Sequence, residues 1–312
     1  VGKHRFTQLD VFTEQPFCGN PLAVFPEGEG LSDDEQMKIA REMNLSETVF
    51  VLPARDEKTL RRLRIYTPAR ELPFAGHPIV GTWTMLAMEG VVPIPEGGAG
   101  WTQIHHEVGI GILPVDIEFK DGKPVQVVMT QGKFEILGEI ENSEDQSEAA
   151  RALGLNREDL DETLPIQVIS TGIKALAVPI RSLADLGRCR VNSSLLADVY
   201  VNAGASMCYA FTRETIEVGA ARAHARLFAP SDNISEDPAT GSAAGSLGGY
   251  LVHHGAINVD PVDDKFNFVI EQGDFIQRPS RINLEVTGKP GAVEQVRVGG
   301  PAVVVAHGEV IF

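Results

Sequence analysis

Three titratable side chains stand where acid–base chemistry could be done: Glu47, His77 and Asp237. Glu47 lies in Asn44-Leu45-Ser46-Glu47-Thr48-Val49-Phe50-Val51, at the end of a polar turn and the start of an apolar strand. A carboxylate among apolar neighbours is expected to keep its proton to higher pH, which suits proton transfer near neutrality. His77 follows a glycine and precedes a proline in Pro73-Phe74-Ala75-Gly76-His77-Pro78. Asp237 also precedes a proline, in Glu236-Asp237-Pro238-Ala239-Thr240-Gly241. Each has a bland reading: a solvated loop carboxylate, a buried hydrogen-bonded histidine, a helix-capping aspartate. What lifts His77 and Asp237 above those readings is repetition; Glu47 stands on its place between a polar turn and an apolar strand.

The chain repeats itself once. Arg64-Ile65-Tyr66-Thr67-Pro68 matches Arg226-Leu227-Phe228-Ala229-Pro230 as Arg–aliphatic–aromatic–small–Pro. Downstream, His77-Pro78-Ile79-Val80-Gly81 is set beside Asp237-Pro238-Ala239-Thr240-Gly241, both X-Pro-x-x-Gly with a titratable residue at X. Upstream, Leu22-Ala23-Val24 recurs as Leu176-Ala177-Val178. Three matches in one order imply two copies of one unit. In each copy a strand ends at a proline, a loop follows and a helix begins. Proline suits the first helical position, so Pro78 and Pro238 are expected at N1 and His77 and Asp237 at or near the caps. Two different titratable groups at matched positions across a cleft would provide two-sided acid–base work.

Those helices must be unusual. Gly241, Ser242, Ala243, Ala244, Gly245, Ser246, Gly248 and Gly249 carry almost no bulk, and such a run has poor helix propensity. It makes sense for a helix enclosed on all sides, with a sheet wrapped tightly around it. Pro78 to Met88 is bulkier but lacks charge until Glu89. Both are read as central helices, each inside a curled, mostly antiparallel sheet or barrel, an α+β fold of two similar half-domains, 1–130 and 131–312. Gly245, Gly248 and Gly249 are assigned to packing. Gly76, Gly241 and Ser242, at the helix starts, are assigned to binding a carboxylate through unpaired N–H groups, with Ser46 beside Glu47 as a further binding position.

Other elements complete the pattern. A strand-like run covers Phe6–Phe12. Ser32-Asp33-Asp34-Glu35 is a capping box opening a helix to about Met43, with Met37, Ala40 and Met43 on one side. Glu47–Leu52 and Val125–Thr130 are expected strands, Glu89–Gly100 a loop, and a helix is expected around Gln146–Leu153. Strands at Ala302–Ala306 and Val310–Phe312 are expected to pair back onto the first half.

Composition narrows the partners. Asp plus Glu number 43 against 27 Lys plus Arg, a formal net charge of −16, which disfavours nucleic acid and anionic membranes. Cys18, Cys189 and Cys208 have no CxxC spacing, which fits a reducing compartment and no disulfide or zinc framework. No apolar run approaches a membrane span, and no signal-peptide core precedes the first strand, so a cytoplasmic location is the default expectation. His105-His106 and His253-His254 are adjacent pairs whose members would face opposite ways on a strand, so no metal site is expected. Neither GxGxxG after a strand nor GxxxxGK[ST] occurs, and no motif contains a lysine for a pyridoxal cofactor.

Several motifs together resemble the PhzF family, which shares the diaminopimelate epimerase fold. They are Gly19-Asn20-Pro21, Ala40-Arg41-Glu42-Met43-Asn44-Leu45-Ser46-Glu47, Glu71-Leu72-Pro73-Phe74-Ala75-Gly76-His77-Pro78, and Glu236-Asp237-Pro238-Ala239-Thr240-Gly241-Ser242-Ala243-Ala244-Gly245. They run in the family's order over nearly the whole chain. The resemblance implies two like half-domains with the active site between them, Glu47 as the acid–base residue, His77 and Asp237 lining the cleft, and Gly76 and Ser242 holding substrate. It implies a homodimer without cofactor. In the best-understood members the reaction isomerises trans-2,3-dihydro-3-hydroxyanthranilate. A proton leaves C3 and one is delivered to C1, giving an enol that becomes a ketone. Related racemases use a cysteine at each helix start; His77 and Asp237 are set at those positions here, which favours a single-base shuttle by Glu47.

Three function classes follow: that isomerase; an isomerase or epimerase of the same fold acting on another small, amino-acid-like carboxylate; and a binding protein without turnover. A metal hydrolase fails for want of ligand spacing.

Overall fold

The computed structural model describes residues 2–312. It divides into two compact units, one running to Thr130 and including Gly299–Phe312, the other Gln131–Val298. The first unit contains β1 (Lys3–Val11), β2 (Asn20–Phe25), α1 (Asp33–Met43), β3 (Glu47–Pro53), β4 (Arg61–Tyr66), β5 (Glu71–Leu72), α2 (Gly76–Met88), β6 (Gly100–Val108), β7 (Gly111–Lys120) and β8 (Lys123–Thr130). The chain continues as β9 (Glu135–Glu139), α3 (Ser143–Ala152), β10 (Gln167–Ser170), β11 (Lys174–Pro179), α4 (Leu183–Gly187) and α5 (Ser193–Asn202). Then follow β12 (Met207–Thr212), β13 (Ala221–Ala229), β14 (Ile234–Asp237), α6 (Gly241–His253), β15 (Lys265–Gln272), β16 (Ser280–Lys289) and β17 (Ala292–Gly300). The last strand, β18 (Ala302–Ile311), belongs to the first unit.

In the first unit β1 lies antiparallel between β18 and β2, β2 runs parallel to β3, and β3 antiparallel to β4. β4 pairs antiparallel with β5 and parallel with β6, which opens the meander β6–β7–β8. α2 packs against β8, β1, β2, β3 and β18, so the sheet curls around it. His77 through Ala87 are all buried. The second unit repeats the plan. β11 is parallel to β12, β12 antiparallel to β13, β13 antiparallel to β14 and parallel to β15, and α6 packs on β10, β11, β15 and β16. Gly241 through Val252 are all buried. A Cβ on Gly248 would sit 2.6 Å from Leu284 Cδ1, and one on Gly245 2.8 Å from Val298 Cγ2. The sheet approaches too closely for side chains there, so these glycines serve packing.

The α1 capping box forms as expected: the Ser32 hydroxyl accepts from Glu35 N, and Ser32 N donates to Glu35 Oε2 at 2.8 Å. The two C-terminal strands expected separately are one continuous strand, β18, which pairs with β1 along its length. His253 and His254 end α6 rather than lying on a strand.

Hydrogen-bond register defines which residues of the two copies correspond, and it corrects the sequence matches. Arg64 faces Phe50 across the sheet, and Arg226 faces Ala210. Phe25 pairs with Phe50 as Val178 pairs with Ala210. Ala23, not Leu22, therefore corresponds to Leu176. Ala23 and Phe25 lie in the core beneath α1, and Leu176 and Val178 in the core with α3 and α5. A one-residue slip would exchange these faces. The proline match slips further. α2 and α6 are both 13 residues and both begin at a glycine. Glu71-Leu72-Pro73-Phe74-Ala75-Gly76-His77 thus corresponds to Glu236-Asp237-Pro238-Ala239-Thr240-Gly241-Ser242. His77 is the counterpart of Ser242, and Asp237 that of Leu72.

A shared salt bridge supports this register. Arg64 donates Nε and Nη2 to the two oxygens of Glu71 at 2.7 Å each; Arg226 does the same to Glu236 at 2.9 and 2.6 Å. Each guanidinium also lies over the aromatic ring two residues on, Tyr66 or Phe228.

Candidate active site

Glu47 is positioned by the end of α1. Asn44 caps that helix in the left-handed conformation (φ 50°), its N–H bonded to Ala40 O at 3.1 Å. Asparagine tolerates this geometry better than most residues, so the helix stops there and the chain turns into β3 at Glu47. Leu22 of β2 is its partner across the parallel ladder. The Glu47 side chain is 15% exposed, and its Oε2 lies 3.4 Å from His77 Nε2. The structure brings these two sequence candidates together.

His77 is the second residue of α2, not its cap; Ala75 occupies the cap position and offers no side-chain bond. Pro78 accordingly sits at N3, two positions past N1. Burial pushes the imidazole pKa down to about 3. His77 is therefore neutral at physiological pH and can either donate to or accept from a neighbour, but does not present a stable positive charge.

Asp237 is not a helix cap either. It ends β14, opposite Leu227, four residues before α6. Its carboxylate accepts the Thr240 hydroxyl proton, and Thr240 is the true N-cap. The Thr240 side chain makes no cap bond to the first N–H groups of α6: its hydroxyl donates to Asp237 and its oxygen accepts from Gln272 Nε2 at 3.1 Å. Both helix starts thus leave backbone donors for another acceptor, in a setting where the dipole favours an anion. Gly76 and Gly241 are the first residues of the two helices, and Ser242 is the second of α6, 9% exposed.

Sequence reasoning missed the side chains that hold Asp237. Gln272, fully buried at the end of β15, donates Nε2 to Asp237 O at 2.8 Å and to Thr240 Oγ1 at 3.1 Å. Its Oε1 accepts from Thr240 N at 3.2 Å and from the Tyr209 hydroxyl at 2.9 Å. Burial, then the Asp237 charge, keeps the Tyr209 phenol well above its usual pKa, so it remains a donor. Gln272 lies 35 residues from Asp237 in the chain, and no motif links them.

Two of the three cysteines are not placed for acid–base work. Cys189 and Cys208 are buried, and burial pushes the Cys189 thiol up to about 11 and Cys208 higher still. Register assigns Met207, the first residue of β12, as the counterpart of Glu47, so the second unit has no carboxylate there. Among the described residues no three His, Cys, Asp or Glu side chains are grouped to hold a metal ion. Nor is any described helix long and apolar enough to cross a membrane.

Comparison with known proteins agrees with this architecture. The family described as phenazine biosynthesis-like protein matches residues 9–308. An uncharacterized isomerase of Clostridium acetobutylicum is 35% identical, over 100% of this chain and 99% of its own. The trans-2,3-dihydro-3-hydroxyanthranilate isomerase of Pseudomonas aeruginosa is 35% identical, over 98% of each chain. The crystal structure of the Bacillus anthracis phenazine biosynthesis protein of the PhzF family superposes with a TM-score of 0.88 at 27% identity, covering 100% of both chains. The relatives define an isomerase, and the fold is diaminopimelate-epimerase-like. The chain belongs to the phenazine biosynthesis-like protein family, PhzF.

Proposed function

We propose that this isomerase moves a proton on a small carboxylate by acid–base catalysis at Glu47, and that trans-2,3-dihydro-3-hydroxyanthranilate is the first substrate to test. The contact between Glu47 and His77 carries the reading. A carboxylate that is mostly buried yet 15% exposed can reach a ligand, and a neutral imidazole beside it can steady either protonation state. In the proposed step Glu47 takes the proton from C3, the electron pair shifts through the conjugated ring, and a proton is returned at C1. The enol so formed tautomerises to the ketone. His77 acts at the substrate, and Ser46 and Gly76 bind it, the start of α2 receiving its carboxylate. No resident cofactor is needed for this proton shift.

A second reading keeps the chemistry and changes the substrate to another small, amino-acid-like carboxylate. The uncharacterized isomerase of Clostridium acetobutylicum is as similar to this chain as the dihydrohydroxyanthranilate isomerase, which favours keeping it. A two-thiol racemisation does not fit, since Gly76-His77 and Gly241-Ser242 open the helices and the buried thiols stay protonated. The deciding experiment is incubation with trans-2,3-dihydro-3-hydroxyanthranilate in deuterated buffer, followed by absorbance and NMR. Loss of the C3 proton with hydrogen or deuterium gained at C1 is expected. No consumption by folded protein would exclude this substrate and pass the weight to the second reading. A homodimer and a cytoplasmic location are part of the proposal, the former to be checked by sedimentation.

A further inference from the structure

The outer face of the first unit has an open hollow of about 450 Å³ beside α1, with Gln36, Leu52, Arg55, Arg62, Arg64 and Glu71 in its walls. It lies on the other side of the sheet from His77. Phe50 packs with Ile39 in the core beneath α1, and Glu47, at an odd offset from Phe50 along β3, points to the face where α2 and His77 lie.

The charges in this hollow do not cancel. Arg64 is committed to Glu71 and to Asp33, which also borders the hollow. Arg55 and Arg62 have no hydrogen-bonded or ion-paired side-chain partner among the described residues. The Nε of Arg62 is buried and makes no hydrogen bond. Glu107 lies near Arg62, but its Oε1 is already taken by Arg55 N at 2.6 Å, Asp56 N at 3.0 Å and the Thr59 hydroxyl at 2.8 Å. Burial, then the neighbouring Arg55 and Arg64 charges, weakens the hold of Arg62 on its proton, and the Glu107 and Glu71 charges offset this only in part.

A second atom is unanswered. Gln36, 1% exposed, donates Nε2 to Leu31 O at 3.1 Å, which fixes the orientation of its amide. Its Oε1 is buried without a partner. A buried acceptor without a partner leaves its desolvation uncompensated, as does an unsatisfied donor, so both invite occupation. The second unit shows what a settled version looks like: His224, the counterpart of Arg62 two residues before the clamp arginine, bonds Glu271 Oε2 at 2.9 Å.

We propose that this hollow is a ligand site, distinct from Glu47 and His77, for a small oxyanion that also carries a hydroxyl or amine. Its carboxylate or phosphate meets Arg55 and Arg62, and its hydroxyl or amine donates to Gln36 Oε1. The test is calorimetric titration of the full chain with glycerol 3-phosphate and, separately, with glycerate, which share the hydroxyls and differ in the anionic group. One saturable site is expected for at least one of them, weakened at least about tenfold by Arg62→Gln and by the exposed-site variant Arg55→Gln, and unchanged in Glu47→Gln. Absence of binding by both ligands below about 10 mM would overturn the site. So would full affinity in a folded Arg55→Gln variant, or loss of binding in Glu47→Gln, which would move the ligand to the isomerase site.

Discussion

The two units are built alike and equipped differently. Both have the bidentate Arg–Glu clamp, Arg64–Glu71 and Arg226–Glu236. In both a buried glutamate holds the loop before the clamp strand: Glu107 takes Arg55 N and Asp56 N, and Glu271 takes Ile216 N and Glu217 N at 2.7 and 2.8 Å. Where chemistry could occur they part. The first unit has Glu47 and His77 in contact, while the second has Met207 and Ser242 at those positions. Conversely the second unit has Asp237 held by Thr240 and Gln272, and the first has Leu72. Duplication has preserved what supports the helix and varied what faces its ends, so framework and chemistry are separable in this fold.

The largest expected effect tests that division. Glu47→Gln should lower turnover by about 10²–10⁴ with melting almost unchanged, whereas Met207→Leu at the matched position should leave turnover within about threefold. Steady-state rates on trans-2,3-dihydro-3-hydroxyanthranilate, the substrate proposed above, decide it; wild-type turnover in Glu47→Gln would remove Glu47 as the base.

The clamps should differ in cost although their geometry is shared. Arg226 and Glu236 are 8% and 10% exposed, whereas Glu71 is 42% exposed and Arg64 has Asp33 as a second partner. Glu236→Gln should lose about 3–5 kcal/mol by leaving a buried guanidinium uncompensated. Glu71→Gln should lose about 1 kcal/mol or less. Equal losses in urea denaturation would show that burial does not separate them.

Acid should weaken the fold through the buried histidines of the first unit. Burial lowers His77 to about 3 and His106 to about 4, against about 6.5 when unfolded. The unfolded chain therefore binds more protons in that window. Stability falls as pH drops below about 6.5, on the order of 3 kcal/mol per histidine at pH 4. Replacing the buried ring in His106→Leu should flatten the decline between pH 7 and pH 4, and a decline as steep as the wild type's would remove His106 from the account.

The smallest effect concerns the enclosed helices. A Cβ at Gly81 would sit 2.6 Å from Leu22 Cδ2 and 2.7 Å from Val11 Cγ2, much as at Gly248 against Leu284. Gly81→Ala and Gly248→Ala should each lose about 1–2 kcal/mol, overpacking exceeding the gain in helix propensity. A stabilised Gly248→Ala in thermal melting would mean the sheet can give way around α6.

Much of the framework was legible because it is local. Ser32 to Glu35 announces a helix by its capping bonds, Asn44 ends it, and the lack of bulk from Gly241 to Gly249 announces enclosure. The order of motifs is enough to place the chain in its family. The register between the copies was not legible. His77-Pro78 and Asp237-Pro238 match as strings, yet α2 begins at Gly76, before its histidine, and α6 at Gly241, four residues past Asp237.

By itself the sequence determined the duplication, the two buried helices and the three residue types that could move a proton, since each depends on neighbours within a few positions. Only the tertiary structure decided that His77 and Glu47 touch, that Ser242 and not Asp237 is the counterpart of His77, and that Gln272 and Tyr209 hold Asp237 in place. Those facts depend on strand register and on contacts between residues tens of positions apart, set by how each sheet closes around its helix.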